Sequence, residues 1–399
     1  MSILETVIQV TLYVTAGYLA FHTVYLLFFA VAGHFYKEVI KANKPIYKNR
    51  PICVLIPAYK EDAVILETAR KALKHNYAGD FRVVIIADQL QAFTLQTLRS
   101  LGAEVIEVHF EKSTKGKALR YAMNLLPEHI YPIAVILDAD NIMGDGFLNQ
   151  VDITFDNGYR VVQGHRTAKN VDTSFALLDA CNEEVNNHIF RKGHRAVGLS
   201  SALIGSGMAF EFTYLKKLLA DIGETAGEDK ELDIRVLRDK VTIHYLETGW
   251  VYDEKVSSAQ VFTKQRTRWI ATQIDFVGGH LSAGLYQLLF KGNVAFFDKI
   301  VQSLLLPRVL LMGVLTGITF LSIFLPWGPS FLFWFSLLIL TGSALLIALP
   351  KRFYNKQLWR ALINLPVALK AMSIALIRSR KAGNTFIHTP HTSTSNAKL

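Results

Sequence analysis

Ile133-Ala134-Val135-Ile136-Leu137-Asp138-Ala139-Asp140 is an apolar run that ends in two carboxylates one residue apart. A short continuous apolar run bounded by polar residues reads as a strand buried on both faces, the kind that parallel sheets contain. Comparable runs lie at 52–56, 82–87, 104–108 and 160–163, with helix-like stretches at about 62–74, 91–101 and 116–126. This alternation predicts an α/β domain over 50–270, with a mainly parallel sheet covered on both faces. Such sheets bind ligands beyond the C-terminal ends of their strands, so the residues after each run are the functional candidates.

Pro57-Ala58-Tyr59-Lys60-Glu61-Asp62 follows the first run and Asp88 ends the second. Neither a G-x-G-x-x-G nor a G-x-x-x-x-G-K-[ST] motif occurs there, which disfavours a dinucleotide dehydrogenase and a P-loop NTPase. Asp138 and Asp140 are i and i+2 of an extended segment and project to one side. Two carboxylates facing one ligand call for a cation, and oxygen-only ligation suits Mg²⁺ or Mn²⁺. Lys115-Gly116-Lys117 opens the next helix, where a bound phosphate would favour a lysine. Gly205-Ser206-Gly207 is a small-residue loop, either a turn or a place for a substrate to approach the backbone. Glu228-Asp229 starts an amphipathic stretch. Acids there suit the helix dipole, or serve as a general base at a pocket mouth. In Gln265-Arg266-Thr267-Arg268-Trp269, Gln265, Arg268 and Trp269 share one helix face. A guanidinium for phosphate and an indole for a pyranose fit that face, as does a basic, aromatic helix on a membrane.

The 399 residues are 51% hydrophobic and 19% charged, too apolar for a disordered chain. Two cysteines, Cys53 and Cys181, exclude a disulfide scaffold and point to a reducing compartment. The net charge is +10, but residues 299–399 hold 11 Lys and Arg and no Asp or Glu. That leaves 32 basic and 33 acidic residues in the remainder, so no basic face for nucleic acid is expected. The basic excess flanks apolar segments and predicts a membrane surface. Residues 7–33 are uncharged and long enough to span, giving an anchor over 1–36. Lys37, Lys41, Lys44, Lys48 and Arg50 follow it, which predicts a cytosolic catalytic domain and an outside N-terminus. Runs at 309–325 and 331–349 predict a transmembrane hairpin over 305–350, after an interfacial segment over 271–304. Arg360, Asn364, Pro366 and Lys370 interrupt 358–377, so 351–399 reads as an interfacial amphipathic helix and a cytosolic tail.

The ordered series Asp88, Asp138/Asp140, Glu228-Asp229 and Gln265/Arg268/Trp269 resembles the D, D-x-D, E-D and Q-x-x-R-W motifs of membrane-bound family 2 glycosyltransferases, the group of cellulose, chitin and hyaluronan synthases. The resemblance runs from about Pro51 to Trp269. It implies a GT-A fold, a nucleotide-diphosphate sugar donor (usually UDP-linked) and Mg²⁺ or Mn²⁺. It implies that Pro57, Tyr59, Glu61 and Asp88 line the nucleoside and that Lys117 lies near it or its phosphates. Asp138 and Asp140 would hold the metal, and Arg268 the departing diphosphate. Asp229 would be the base. Ser206, Gly207, Glu228, Gln265 and Trp269 would line the acceptor path. Two departures stand out: Lys60 replaces the usual Asn, and the tail at 386–391 resembles the family's gating loop with His391 in place of Lys.

A single in-line displacement at the anomeric carbon inverts the sugar and yields a β-linkage from an α-linked donor. The expected activity is a metal-dependent hexosyltransferase of the plasma (inner) membrane that extends a polysaccharide. The alternative is transfer of one sugar to a lipid such as ceramide, diacylglycerol or a polyprenyl phosphate. The partners expected are a UDP-sugar, a polysaccharide or lipid acceptor and the bilayer. Self-association into a homo-oligomer is compatible with the sequence.

Overall fold

The computed structural model describes residues 3–38, 48–223, 227–256, 258–325 and 327–382. The tail motif at 386–391 lies outside the described residues.

Eight strands form one mixed sheet in the order β3-β2-β1-β4-β7-β6-β8-β5. They are β1 (Ile52–Tyr59), β2 (Phe81–Asp88), β3 (Glu104–Val108), β4 (Ile133–Ile136), β5 (Ile142–Met143), β6 (Val161–Ala168), β7 (Met208–Glu211) and β8 (Ile243–Asp253). β1 to β4 run parallel, joined through α2 (Asp62–Leu73), α3 (Ala92–Ser100) and α4 (Lys115–Leu125). Helix α1 (Ile3–Ala32) precedes them. β7 is antiparallel to both β4 and β6, and β6 pairs in parallel with β8. The apolar runs of β1, β2 and β4 are buried because helices cover both sheet faces. α4 packs Leu119 and Met123 on one face with α8 (Phe212–Leu219) and α9 (Glu228–Arg238). α2, α3 and α5 (Phe147–Asp156) cover the other.

β1 and β2 end in register, Tyr59 opposite Asp88, and β4 ends three residues after Ile133. The chain then turns sharply: Lys60 and Gln89, each directly after a strand, have φ of 56°. This left-handed conformation suits Asn better than Lys, so Lys60 adopts it less easily than the Asn usual at this place.

α6 (Ser174–Asn186) continues through a π-helical segment, Asn187–Gly193, into α7 (His194–Ala196). This rod packs along α1. A Cβ on Gly193 would collide with the Phe29 backbone, so only glycine lets the two backbones approach this closely. Tyr25 of α1 donates its hydroxyl to Asp298 at 2.7 Å and lies 2.8 Å from His194 Nε2. The first anchor is thereby fastened to the domain.

α10 (Ala259–Lys291) runs 33 residues without a break and leads into α11 (Val294–Leu304) and α12 (Arg308–Leu321). α13 (Phe331–Ala348), α14 (Lys356–Leu362) and α15 (Leu365–Ala382) complete the described chain. Among the described residues, Ile3–Phe35 and Phe331–Ala348 are long and apolar enough to cross a membrane. The first arm of the expected hairpin is bent. α12 alone has 14 residues, about 21 Å at helical rise against a hydrocarbon layer of roughly 30 Å, and it is long and apolar enough to cross only when taken together with α11 as one broken span. It meets α11 at 57°, because Pro307 cannot continue the preceding helix. The 358–377 stretch is likewise bent by 50° between α14 and α15. Beyond α13, Arg352 returns to the domain and donates to Glu184 at 2.7 Å and to Thr167 at 3.1 Å.

Candidate active site

The C-terminal ends of β1, β2 and β4 open into one cavity of about 520 Å³. Pro57 and Tyr59 from β1, Glu61 just after it, Asp88 from β2, and Asp138 and Asp140 after β4 line it. Glu228 and Asp229 of α9 and Gln265, Arg268 and Trp269 of α10 complete the wall. Residues as far apart in sequence as Pro57 and Trp269 therefore meet at one place, because the sheet delivers strand ends to a common edge and α9 and α10 close over it.

At the β2 end of the cavity, Asp88 Oδ1 is buried with no hydrogen-bond partner among the described residues. Burial raises the Asp88 carboxyl, while nearby Ser113, His109 and Lys60 pull it back. An unsatisfied acceptor at a strand end is suited to a ligand N–H. At the centre, the Lys115 ammonium is bound to Asp138, donates to the Gly205 carbonyl at 2.6 Å and lies 3.6 Å from Glu228. Burial raises Glu228 to about 7; the Lys115 charge opposes the shift and Asp229 adds to it.

Three sequence expectations change. Lys117 does not line the cavity; its ammonium donates to the Lys112 carbonyl at 3.3 Å. Lys115, two residues earlier and so roughly opposite on the helix, points inward instead. Ser206 is fully buried behind the cavity, where its hydroxyl accepts from the Asp138 backbone N–H at 2.9 Å and fixes the D-x-D backbone. Gly207 packs on β8: a Cβ there would lie 2.8 Å from Val251 Cγ2. Gly205 is the member of that loop that lines the cavity.

The cavity floor is a charge network that composition and motif spacing did not reveal. Arg166 contacts Glu183 at 3.0 Å and Asp253 at 3.6 Å. Lys255 contacts Asp253 at 2.7 Å and Glu183 at 3.6 Å. Burial works against the Lys255 charge, but Asp253 and Glu183 outweigh it and hold the ammonium above its usual value. Asn141 donates to both Asp140 at 2.9 Å and Asp253 at 3.0 Å, tying the second D-x-D carboxylate to that floor. Arg266, inside the Q-x-x-R-W segment, pairs with Asp179 and lies 4.0 Å from the Trp269 ring centroid. The signal for this network was present only as charged residues scattered over β6, α6 and the end of β8.

Among the described residues, no three His, Cys, Asp or Glu side chains gather closely enough to enclose an ion alone. The two carboxylates at 138 and 140 fit Mg²⁺ or Mn²⁺, which complete their shells with substrate phosphates, and do not fit a four-ligand structural zinc.

Residues 49–272 match the family described as "Glycosyltransferase like family 2", more than half of the chain. The chain belongs to this family. The glycosyltransferase is 27% identical over 248 residues to "Beta-monoglucosyldiacylglycerol synthase" from Trichormus variabilis, and likewise to that from a Nostoc species. These alignments cover 60% of this chain and 51% of each relative, so the chain spans about half the length of the curated relatives it matches. Among solved structures, it resembles a mannosyltransferase from Pyrobaculum calidifontis in complex with GDP-Man and Mn²⁺. That match has a TM-score of 0.50 at 18% identity and covers 84% of this chain and 97% of the other. It shows that the glycosyltransferase domain has the GT-A fold.

Proposed function

We propose that this protein is a membrane-bound inverting hexosyltransferase that moves one sugar from a nucleotide-diphosphate sugar to a hydroxyl of a membrane lipid. The observation that carries this reading is the meeting of Asp138, Asp140, Asp229, Arg268 and Trp269 on one cavity whose far wall is α10 and α11. Beyond that wall α10 exposes Ile274, Leu281, Leu285, Leu289 and Phe290, an apolar surface for the bilayer. The diacylglycerol glycosyltransferase names of the relatives support a lipid acceptor over a growing polysaccharide.

In this reading Tyr59, Glu61 and Asp88 receive the nucleoside, UDP by the resemblance. A divalent cation on Asp138 and Asp140, when bound, supplies Lewis-acid stabilisation of the diphosphate. Arg268 and Lys115 add positive charge around the leaving group. Asp229 takes the proton of the acceptor hydroxyl as its oxygen bonds to the anomeric carbon. The bond from that carbon to the diphosphate breaks, and the nucleoside diphosphate leaves. Trp269, 38% exposed at the cavity mouth, stacks on the sugar or the acceptor. α1, the bent pair of α11 and α12, and α13 cross the membrane, and the domain lies on its cytosolic side, where Lys37, Lys351 and Arg352 flank the spans.

Purified protein is incubated with a panel of UDP- and GDP-sugars, a divalent cation and a membrane lipid mixture containing diacylglycerol and phosphatidylglycerol, and nucleotide release is followed. Release should fall at least about 100-fold in Asp229→Asn, the loss typical of a missing general base. Release that is equal in Asp229→Asn and wild type contradicts the reading.

A further inference from the structure

Lys230 follows the proposed base in α9 and lines the cavity, yet its ammonium makes no ion pair or hydrogen bond among the described residues. The other lysines of the cavity wall are committed: Lys115 to Asp138, Lys255 to Asp253 and Lys299 to Asp233. A half-buried ammonium that carboxylates act on only at a distance still gains from a ligand anion in direct contact. Its position says which ligand. Glu228 and Lys230 are two residues apart, about 200° around the helix, and so face opposite sides. Glu228 faces Lys115 and Asp138, the donor end. Lys230 faces Lys299 of α11, whose charge acts on it, at the end bounded by the interfacial helices. Asp229 stands between them. Burial lowers Lys230 to about 8; the Asp229 and Asp233 charges oppose the shift and Lys299 adds to it, so the ammonium is largely charged at neutral pH.

Resting on the lipid-acceptor reading above, we infer that Lys230 is a specificity-determining residue that binds a phosphate carried by the acceptor beside the hydroxyl that Asp229 deprotonates. The acceptor is then an anionic lipid whose headgroup holds both a hydroxyl and a phosphate, as a phosphoglycerol headgroup does. This differs from diacylglycerol, which offers a hydroxyl alone. The phosphate is a handle and takes no part in bond making; the proton, bond and leaving-group changes are those of the displacement already described.

The test compares two short-chain lipids, dihexanoyl phosphatidylglycerol and dihexanoylglycerol, kept below their micellar concentrations. Binding to the detergent-solubilised full chain is measured by titration calorimetry, and transfer is measured in parallel. Wild type should bind the phosphate lipid at least ten-fold more tightly. Lys230→Met should abolish that preference and raise the acceptor KM more than it lowers kcat, and Lys230→Arg should restore both. Equal binding of the two lipids by wild type, or a preference that survives Lys230→Met, overturns the inference. If glycerol 3-phosphate binds as tightly as the phosphate lipid, the anion belongs to a soluble acceptor and the lipid assignment fails. Lys230-dependent binding without sugar transfer would overturn the transferase reading while upholding the phosphate site.

Discussion

Lys115 bridges Asp138 to the Gly205 carbonyl, joining the D-x-D segment to the loop before β7 across the middle of the cavity. A lysine held there by two oxygens has a fixed position before any diphosphate arrives. Lys115→Met should lower kcat/KM by about 100-fold, the scale of a lost preorganised electrostatic group. Lys117→Met, changing an outward lysine two residues away, should stay within about three-fold, as for other surface charges. Steady-state kinetics with saturating acceptor distinguishes the two, and equal losses would contradict the inward role of Lys115.

The carboxylates at 138 and 140 are too few to hold an ion without the donor. Chelation should therefore remove transfer, and Mn²⁺ or Mg²⁺ should restore it. Cation affinity measured by calorimetry should rise at least about ten-fold when nucleoside diphosphate is present, because the phosphates complete the shell. Asp140→Asn should erase that coupling. Tight cation binding without nucleotide would contradict it.

Arg266 and Asp179 form a buried pair beneath Trp269. Arg266→Met leaves the Asp179 charge uncompensated and should destabilise the protein by about 3–5 kcal/mol. The double change with Asp179→Asn should recover most of that loss, read as a non-additive cycle in denaturant unfolding. Additive losses would mean that the pair is not the source.

Glu184 is buried. Although burial opposes its charge, hydrogen bonding from His165 comes next, and with the His165 and Arg352 charges holds the carboxyl at about 2, below its ordinary 4.5. A depressed folded-state carboxyl contributes stability that is present above pH 4.5 and lost as pH falls towards 2. The unfolding midpoint should drop across that window, and Glu184→Gln should show a shallower drop. A slope unchanged in Glu184→Gln would assign the acid sensitivity to other groups.

Sequence alone located β1 to β4 and their helices because both hydrophobic period and boundary residues agree there: Glu104–Val108 has the predicted limits, and Asp62 opens α2 as expected. β8 escaped notice because Glu247-Thr248-Gly249 interrupts its apolar pattern, and a bulge at Gly164/His165 accommodates it in the sheet. In the site, Asp88, Asp138, Asp140, Asp229 and Trp269 were legible as strand-end or helix-face residues. Choosing Lys117 over Lys115 required the phase of α4, which a single K-G-K triplet does not set. The resemblance puts Ser206 on the acceptor path, whereas its hydroxyl serves the backbone of Asp138. The Arg166, Glu183, Asp253 and Lys255 network depends on contacts between β6, α6 and β8, which no local pattern encodes.

The most direct measurement of the central claim is the size and phase of the product formed from radiolabelled UDP-sugar and membrane lipid. The account predicts label in the organic extract as a lipid bearing one β-linked sugar, formed by wild type and not by Asp229→Asn. A long water-soluble chain that incorporates the label, or a lipid product that persists in Asp229→Asn, would contradict it.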